Sequence, residues 1–298
     1  MAAFVTVLTL FTAFVLLDTF VIPSSVVAAA APRPIPAAPA TPPALAPLPT
    51  NLTPTSKPIT YTDAYRAFSI AQYRVDNSTV YVANVVVADP TVLRVSFAYN
   101  VYGRNVVSTV SDMAAASGAI LAINGAFYGA RESSYVVLNG QVYRTNPIFA
   151  SQQDLVIQKD GTLKIATEGD TTPAQLVAQG AETVLSFGPG LIDGGKVILG
   201  ADNYNGNAGD ESPRTAIAQV GPLHYLFVVV DGRTTVSTGL NLRQLADFFV
   251  QYGGVTTAYN LDGGGSSEMW LKGHNYLNQP TTDGKTIIER EVSDIFYV

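Results

Sequence analysis

The chain has 298 residues, of which 47% are hydrophobic, and a formal net charge of −6, values that indicate a folded protein with a sizeable core. Seventeen lysines and arginines against 23 acidic residues leave no clustered basic surface, which argues against nucleic-acid partners. Cysteine is absent and only two histidines occur, so neither thiolate metal sites nor a histidine-rich dinuclear centre is expected.

Residues 1–31 are predicted to form a signal peptide or an N-terminal membrane anchor. The first 27 residues are almost wholly apolar, with one charge at Asp18, and the small residues 28–31 offer a cleavage site. Either outcome predicts an extracellular or cell-surface protein that contacts a membrane only through this segment. Residues 32–58 contain ten of the 18 prolines and are predicted to be a Pro/Ala-rich linker that supports no core.

Residues 59–298 are predicted to form one α+β domain with a mixed sheet and short helices packed on it. One helix is expected to be capped by Ser108 and ended by Gly118, and a second to begin at Pro173. Residues 224–230 form a continuous apolar run typical of a strand buried on both faces.

A longer helix follows that strand, with Asn241 as its N-cap and Val250 among the residues on its inward face. Gly253 and Gly254 end the helix before a strand at residues 255–260. Strand, helix and strand of these lengths predict a right-handed βαβ crossover with two parallel, neighbouring strands. Both strands are therefore expected to end at one sheet edge, where ligands of α/β proteins bind.

Residues 259–270 read YNLDGGGSSEMW, and the glycine triplet is the strongest chemical signal in the chain. Glycine tolerates positive φ, so Gly263, Gly264 and Gly265 are predicted to point several backbone N–H groups into one concavity that a phosphate or sugar could enter. The alternative is a solvent-exposed turn.

Charged residues follow the same strand ends: Asp231, Arg233, Asp262 and Glu268, with Arg214 on a nearby segment. Arginine offers a planar fork for bidentate binding of phosphate, although Arg233 could equally form a structural ion pair.

Asn124 and Asn260 supply neutral groups of the kind that bind sugar hydroxyls, or else each satisfies a turn. A divalent cation such as calcium could be held by Asp231 or Asp262 with backbone carbonyls, but no cofactor is required.

Several blocks in unbroken order carry a family resemblance: NGAFY, FGPGLIDGG, SPRTAIA, VVVDGR, GLNLRQLADFFVQYGG, NLDGGGSSEMW and REVSD. Over residues 84–298 the chain resembles the phosphodiester glycosidase family, named for the lysosomal N-acetylglucosamine-1-phosphodiester α-N-acetylglucosaminidase. The family's polar signature falls on Asn124, Arg214, Asp231, Arg233, Asn260, Asp262, Gly263, Gly264, Gly265, Ser266, Ser267 and Ser293. Glu268 and Asp294 depart from it, because threonine and asparagine are the usual residues there.

The resemblance implies hydrolysis of the anomeric C–O bond of a sugar-1-phosphodiester in a glycan or cell-envelope substrate. Arg214 is expected to stabilise the departing phosphate, and Asp262 first or Asp231 second to act at the anomeric carbon. The remaining residues of the glycine loop, including Ser266, Ser267 and Glu268, are expected to bind substrate. Two alternatives remain open: a non-catalytic cell-surface carbohydrate-binding module, and a phosphodiesterase that cuts the P–O bond.

Overall fold

The computed structural model describes residues 2–20, 26–39, 41, 43–45, 52–199 and 208–298. Its four α-helices, in chain order, are α1 (Ala2–Phe20), α2 (Val110–Ser117), α3 (Pro173–Ala178) and α4 (Leu242–Tyr252). The strands of the first half are β1 (Val27–Ala28), β2 (Ile59–Thr62), β3 (Arg66–Val75), β4 (Ser78–Val87), β5 (Arg94–Phe97), β6 (Val101–Tyr102), β7 (Leu121–Asn124), β8 (Val136–Leu138), β9 (Gln141–Arg144) and β10 (Gln153–Gln158). Those of the second half are β11 (Leu163–Thr167), β12 (Ala181–Leu185), β13 (Gly190–Asp193), β14 (Lys196–Val197), β15 (Arg214–Gly221), β16 (His224–Val230), β17 (Thr257–Asn260), β18 (Met269–Leu271), β19 (Asn275–Tyr276) and β20 (Asp294–Tyr297).

Three main sheets form the domain. An eight-stranded sheet has the order β14-β13-β17-β15-β16-β4-β3-β2, and two five-stranded sheets have the orders β19-β18-β7-β20-β5 and β11-β10-β12-β8-β9. Strands β1 and β6 form a separate pair. The described part of the chain is therefore rich in strands with a few short helices, which confirms the predicted α+β class.

The largest core cluster lies where the three sheets face one another. Alternate residues of the eight-stranded sheet, such as Phe227 and Val229, belong to this shared core. Their neighbours Val228 and Val230 point to the opposite face and pack with α4. Because successive side chains alternate between the faces of a strand, β16 is buried on both faces, as its apolar run predicts.

Each of three helices covers the outer face of one sheet, α4 on the eight-stranded sheet, α2 on the sheet that contains β7, and α3 on the sheet that contains β12. Asn241 caps α4, as predicted, but Val250 is 57% exposed and not part of its inward face. The predicted cap of α2 is also wrong by one residue, because the side chain of Thr109, and not Ser108, accepts the Asp112 N–H.

The prediction that β16 and β17 are neighbours is wrong, because β15 lies between them. β15 turns directly into β16 as an antiparallel hairpin and also pairs antiparallel with β17. Strands β16 and β17 consequently run in the same direction without touching. All strand pairs within the described residues are antiparallel, so the prediction of a mixed sheet is also wrong. The β15–β16 hairpin puts β15 in the position beside β16 that the predicted crossover assigned to β17.

Residues 27–35, which span the end of the predicted signal peptide or anchor and the start of the predicted linker, contact the domain. Strand β1 pairs with β6, the Ala30 N–H donates to the Tyr143 hydroxyl at 2.6 Å, and Arg33 forms an ion pair with Glu182 at 3.1 Å. Ile35 packs against the main core. The expectation that residues 32–58 support no core is thus wrong for Ile35 and for Leu52, which packs against the core cluster beside α4.

The predicted signal peptide or anchor, residues 1–31, includes α1 and β1, while residues 1 and 21–25 lie outside the described residues. Within the described ranges, no helix has the length and apolar character needed to cross a membrane.

Candidate active site

The start of β15 and the ends of β16 and β17 meet at one edge of the eight-stranded sheet. Arg214, the first residue of β15, pairs with Val230, the last residue of β16. Asn260, the last residue of β17, pairs with Ala216. An antiparallel strand between two parallel ones begins where they end, so Arg214 reaches the edge that carries the glycine loop.

A cavity of about 350 Å³ opens at this edge, a size typical of small-ligand sites. Seven of the residues predicted for the site line it, namely Arg214, Arg233, Asn260, Asp262, Gly263, Gly264 and Gly265. Five lining residues were not predicted, namely Phe187, Gly188, Ser212, Leu242 and Arg290.

Asp262 is the carboxylate of this cavity, and its side chain is only 8% exposed. Oδ1 accepts the N–H of Gly263 at 2.9 Å, whereas Oδ2 is buried with no well-formed hydrogen bond to a described residue. Burial raises the pKa of Asp262 above its ordinary value, while the Ser266 hydroxyl and the Arg290 guanidinium act in the opposite direction. Asp262 is therefore a largely desolvated acid on the wall of the cavity.

Arg214 lines the same cavity as Asp262 and is held rigidly there. Its Nε donates to the Leu240 carbonyl at 2.8 Å and its Nη2 to the Asp210 carbonyl at 2.7 Å. Burial lowers the pKa of Arg214 to about 10, Asp210 raises it and Arg233 lowers it. The guanidinium is thus charged at neutral pH, fixed in orientation, and close enough to Arg233 for the two cations to repel.

The glycine loop is shaped by close contacts with its neighbours. A Cβ at Gly265 would lie 2.1 Å from Thr282 Oγ1, and one at Gly264, whose φ is +61°, would lie 2.9 Å from Nη2 of Arg233. Two of the N–H groups predicted to face a ligand are already bonded, Gly263 N to Asp262 Oδ1 and Gly264 N to the Pro213 carbonyl. The prediction of a backbone anion nest is wrong for these two groups, and arginine side chains supply the positive charge of the cavity.

Two further arginines act on Asp262. Arg290 lines the cavity with its guanidinium 5.7 Å from the centre of the Phe127 ring. Arg131 lies behind the wall, 5.0 Å from the centre of the Phe187 ring, with a buried Nη1 that has no hydrogen-bond partner among the described residues. Burial lowers the pKa of Arg131, and the charge of Asp262 is among the influences that raise it.

The two predicted asparagines have different roles. Asn124 is fully buried and its amide donates to the Asp262 carbonyl at 2.7 Å, while its Oδ1 accepts from Thr215 and from Glu268 N. Asn124 therefore fixes the backbone beneath Asp262 and has no atom left for sugar. Asn260 lines the cavity, where its Nδ2 donates to the Gly188 carbonyl at 2.7 Å and its Oδ1 has no partner among the described residues.

Asp231, the second catalytic candidate, lies in a separate environment. Its Oδ1 accepts from Asn278 Nδ2 at 3.2 Å and from Gln279 N at 2.8 Å. Burial raises its pKa, and the bonds from Gln279, Asn278 and Tyr81 lower it. With these partners, Asp231 anchors the chain around residue 278 instead of facing the cavity.

Ser266, Ser267 and Glu268 are almost fully buried. Burial and the neighbouring Glu289 raise the pKa of Glu268 to about 9, and Glu289 in turn accepts from Ser111 at 2.6 Å. The structure places these three residues beneath the glycine loop and not on the cavity wall. Across the described residues, no group of three or more His, Cys, Asp or Glu side chains is arranged to hold a metal ion.

Comparison with known proteins identifies the class of this site. A profile of the phosphodiester glycosidase family matches residues 117–298, more than half of the chain, so the protein belongs to that family. The family resemblance of the sequence is thus confirmed, although the match begins further along the chain than residue 84.

A curated relative is the SPbeta prophage-derived uncharacterized protein YomE of Bacillus subtilis (strain 168), 28% identical over 199 residues. The alignment covers 65% of this chain but only 30% of that protein, so the chain spans less than a third of its relative's length.

Two solved structures share the fold. The catalytic domain of zebrafish N-acetylglucosamine-1-phosphodiester α-N-acetylglucosaminidase, auto-inhibited by pro-peptide, superposes with a TM-score of 0.61 and 21% identity, over 84% of this chain and 87% of that one. A hypothetical protein from Synechocystis gives a TM-score of 0.58 and 15% identity, over 82% of this chain and 64% of that one. At these identities the likeness is one of fold alone.

Proposed function

We propose that this protein hydrolyses the anomeric C–O bond of a sugar-1-phosphodiester and releases a free sugar and a phosphomonoester. The observation that carries the proposal is that Asp262 and Arg214 line one cavity at the edge of the eight-stranded sheet. An acid and a fixed guanidinium in one cavity supply the two charges that this cleavage needs. Membership of the phosphodiester glycosidase family supports the same reaction class.

The arginines act on the leaving phosphate. A phosphomonoester is a good leaving group, because its second ionisation lies near pH 6, so stabilising the departing charge matters more than protonating it. Arg214 and Arg233 are close enough to disfavour each other's charge, and an anion bound between them would relieve that repulsion. The fixed fork of Arg214 suits a phosphate oxygen pair.

Asp262 acts at the anomeric carbon. As the C–O bond breaks, positive charge develops on the sugar ring, and a carboxylate at this position either attacks the carbon or orients water. The water oxygen ends on the anomeric carbon, its proton passes to the carboxylate, and the phosphate keeps all four of its oxygens. Arg290 and Arg131 both favour the charged form of Asp262 that this role requires.

The substrate is proposed to be a glycan or cell-envelope phosphodiester outside the cell, because the apolar residues 1–27 and the proline-rich stretch behind them are typical of exported proteins. The proposed mechanism requires no cofactor. A chelator such as EDTA should accordingly leave turnover unchanged, and a loss that calcium restores would contradict this part of the proposal.

The test is turnover of a panel of hexose-1-(methyl phosphate) diesters by the purified protein, with release of free sugar as the readout. Asp262→Asn should lower kcat by about 100-fold or more, in line with the loss of a positioned catalytic carboxylate. Asp247→Asn is the matched control, since Asp247 pairs with Arg243 in an exposed ion pair. Binding of the diesters without hydrolysis would favour a carbohydrate-binding module instead.

A further inference from the structure

The cavity contains more positive charge than the proposed reaction needs. Three arginines line it, Arg214, Arg233 and Arg290, and Asp262 is the carboxylate among its lining residues. A phosphodiester carries one negative charge, so Asp262 and the scissile phosphate together neutralise two of the three cations. Among the lining residues, one guanidinium therefore remains without a matching negative charge, while the exposed Asp210 acts on Arg214 from outside the lining.

Arg290 is the residue that best accounts for the unmatched positive charge in the cavity. Arg214 is fixed by backbone carbonyls beside Arg233, and these two form the subsite assigned to the scissile phosphate. Arg290 belongs to another segment and lies over the Phe127 ring. Among the described residues, no carboxylate lies within 4.0 Å of the Arg290 guanidinium, and the ion pairs there join other side chains.

The side chain of Arg290 is exposed to the cavity and to solvent. A guanidinium stacked on an aromatic ring keeps its edge N–H groups free to bind an anion, because the stacking uses only the face of the group. Arg290 also lies on the Asp262 side of the cavity, since its charge favours the ionised form of that acid. A second anion bound there would sit apart from the phosphate between Arg214 and Arg233.

We propose that the physiological substrate is dianionic, with a second acidic group, a carboxylate or another phosphate, that Arg290 binds. This inference rests on the proposed function, because it assigns the scissile phosphodiester to Arg214 and Arg233. Acidic glycans and polymers of repeated phosphodiesters both meet the requirement. Their shared chemistry is a second negative charge a few bonds from the scissile phosphate.

The test compares three substrates with the same scissile bond. They are glucose-1-(methyl phosphate), glucuronate-1-(methyl phosphate), which adds a carboxylate to the sugar, and glucose-1-phosphate esterified to a hydroxyl of glycerol 3-(methyl phosphate), which adds a second phosphodiester to the aglycone. The galacto and manno series are run in parallel. The wild-type protein should favour at least one dianionic compound over its monoanionic counterpart by about ten-fold or more in kcat/KM, the value of a charge-assisted hydrogen bond.

Arg290→Gln should bring that ratio close to one, even where its effect on the ionisation of Asp262 lowers the turnover of both kinds of substrate. Arg243→Gln, at an exposed ion pair with Asp247, should keep the wild-type ratio. The dianionic substrate that the wild-type protein prefers shows whether the second charge lies on the sugar or on the aglycone. A wild-type ratio near one, or an equal loss on both kinds of substrate in Arg290→Gln, would overturn the inference, because Arg290 would then serve only Asp262 or the scissile phosphate.

Measurements of substrate binding test this inference independently of the proposed function. Affinities of the same compounds for the Asp262→Asn variant, measured by titration calorimetry, report the charge preference without any turnover. Tighter binding of a dianionic compound, lost in Asp262→Asn/Arg290→Gln, would support the second anion subsite even if no compound is hydrolysed. Equal affinities alongside normal hydrolysis would refute the subsite and leave the reaction intact.

Discussion

Replacing Asp294 by asparagine should change the pH dependence of stability. Asp294 is fully buried, and both carboxylate oxygens accept the Ala126 N–H, at 3.1 and 2.9 Å. Burial raises the pKa of Asp294 to about 7, the Ala126 bond lowers it and the charge of Asp262 raises it. An acid with a raised pKa in the folded state binds its proton more tightly there than in the unfolded chain.

The sign and size of the change in stability with pH follow from the difference in the pKa of Asp294 between the folded and unfolded states. Below about pH 4 both states hold the proton, and the stabilising contribution is fully present. As the pH rises towards 7, the unfolded chain releases the proton first, so stability is lost until the folded state also ionises. The pKa differs by about three pH units from the ordinary value of 3.8, which corresponds to a loss of about 4 kcal/mol at most.

The amide introduced by Asp294→Asn would carry no proton to release, so the variant should lack this loss. Its Nδ2 would face the Ala126 N–H and cost about 1–3 kcal/mol at every pH. The quantity to measure is therefore the change in the variant's relative stability between pH 4 and pH 8. We expect Asp294→Asn to gain about 4 kcal/mol on wild type across that interval.

Urea denaturation followed by the fluorescence of Trp270, the one tryptophan of the chain, gives the unfolding free energies. Asp247→Asn is the control, because Asp247 lies in an exposed ion pair with Arg243 and should change by under about 1 kcal/mol. A relative stability of Asp294→Asn that is the same at pH 4 and pH 8 would refute the reasoning.

Three other substitutions test the site. Arg214→Lys keeps the charge but loses the bidentate geometry of the guanidinium, so kcat/KM should fall by about ten-fold or more. Turnover equal to wild type would show that Arg214 does not bind the phosphate. Gly264→Ala forces a side chain into a φ of +61° and against Arg233, so turnover should fall with a melting point lowered by only a few degrees, whereas unfolding would indicate a structural role. Asp231→Asn should weaken the anchor at Asn278 yet keep kcat within about ten-fold of wild type, and a loss matching Asp262→Asn would make Asp231 catalytic.

Much of the site follows from rules that act locally along the chain. An apolar strand followed by a glycine loop places Asp262 at a sheet edge. That pattern needs no knowledge of distant pairings. The strand order depends on distant pairings, because a hairpin between β15 and β16 competes with the crossover for the same neighbour. No local pattern predicted β15 as a strand.

Arg290 was missed for a related reason. It reaches the cavity on a segment that leads into β20, which pairs with β7 and β5 from much earlier in the chain. No local spacing reports such a pairing, and the only sequence signal was the REVSD block within the family resemblance. The role of Asn124 was also out of reach, because its bonds to the Asp262 carbonyl and to Thr215 depend on three segments meeting.

The measurement that tests the central claim most directly is hydrolysis in water enriched in heavy oxygen, with mass analysis of both products. If Asp262 acts at the anomeric carbon while Arg214 receives the departing phosphate, the label appears in the free sugar and not in the phosphomonoester. Label in the phosphomonoester would show that the P–O bond is cut, and would contradict the proposed roles of both residues.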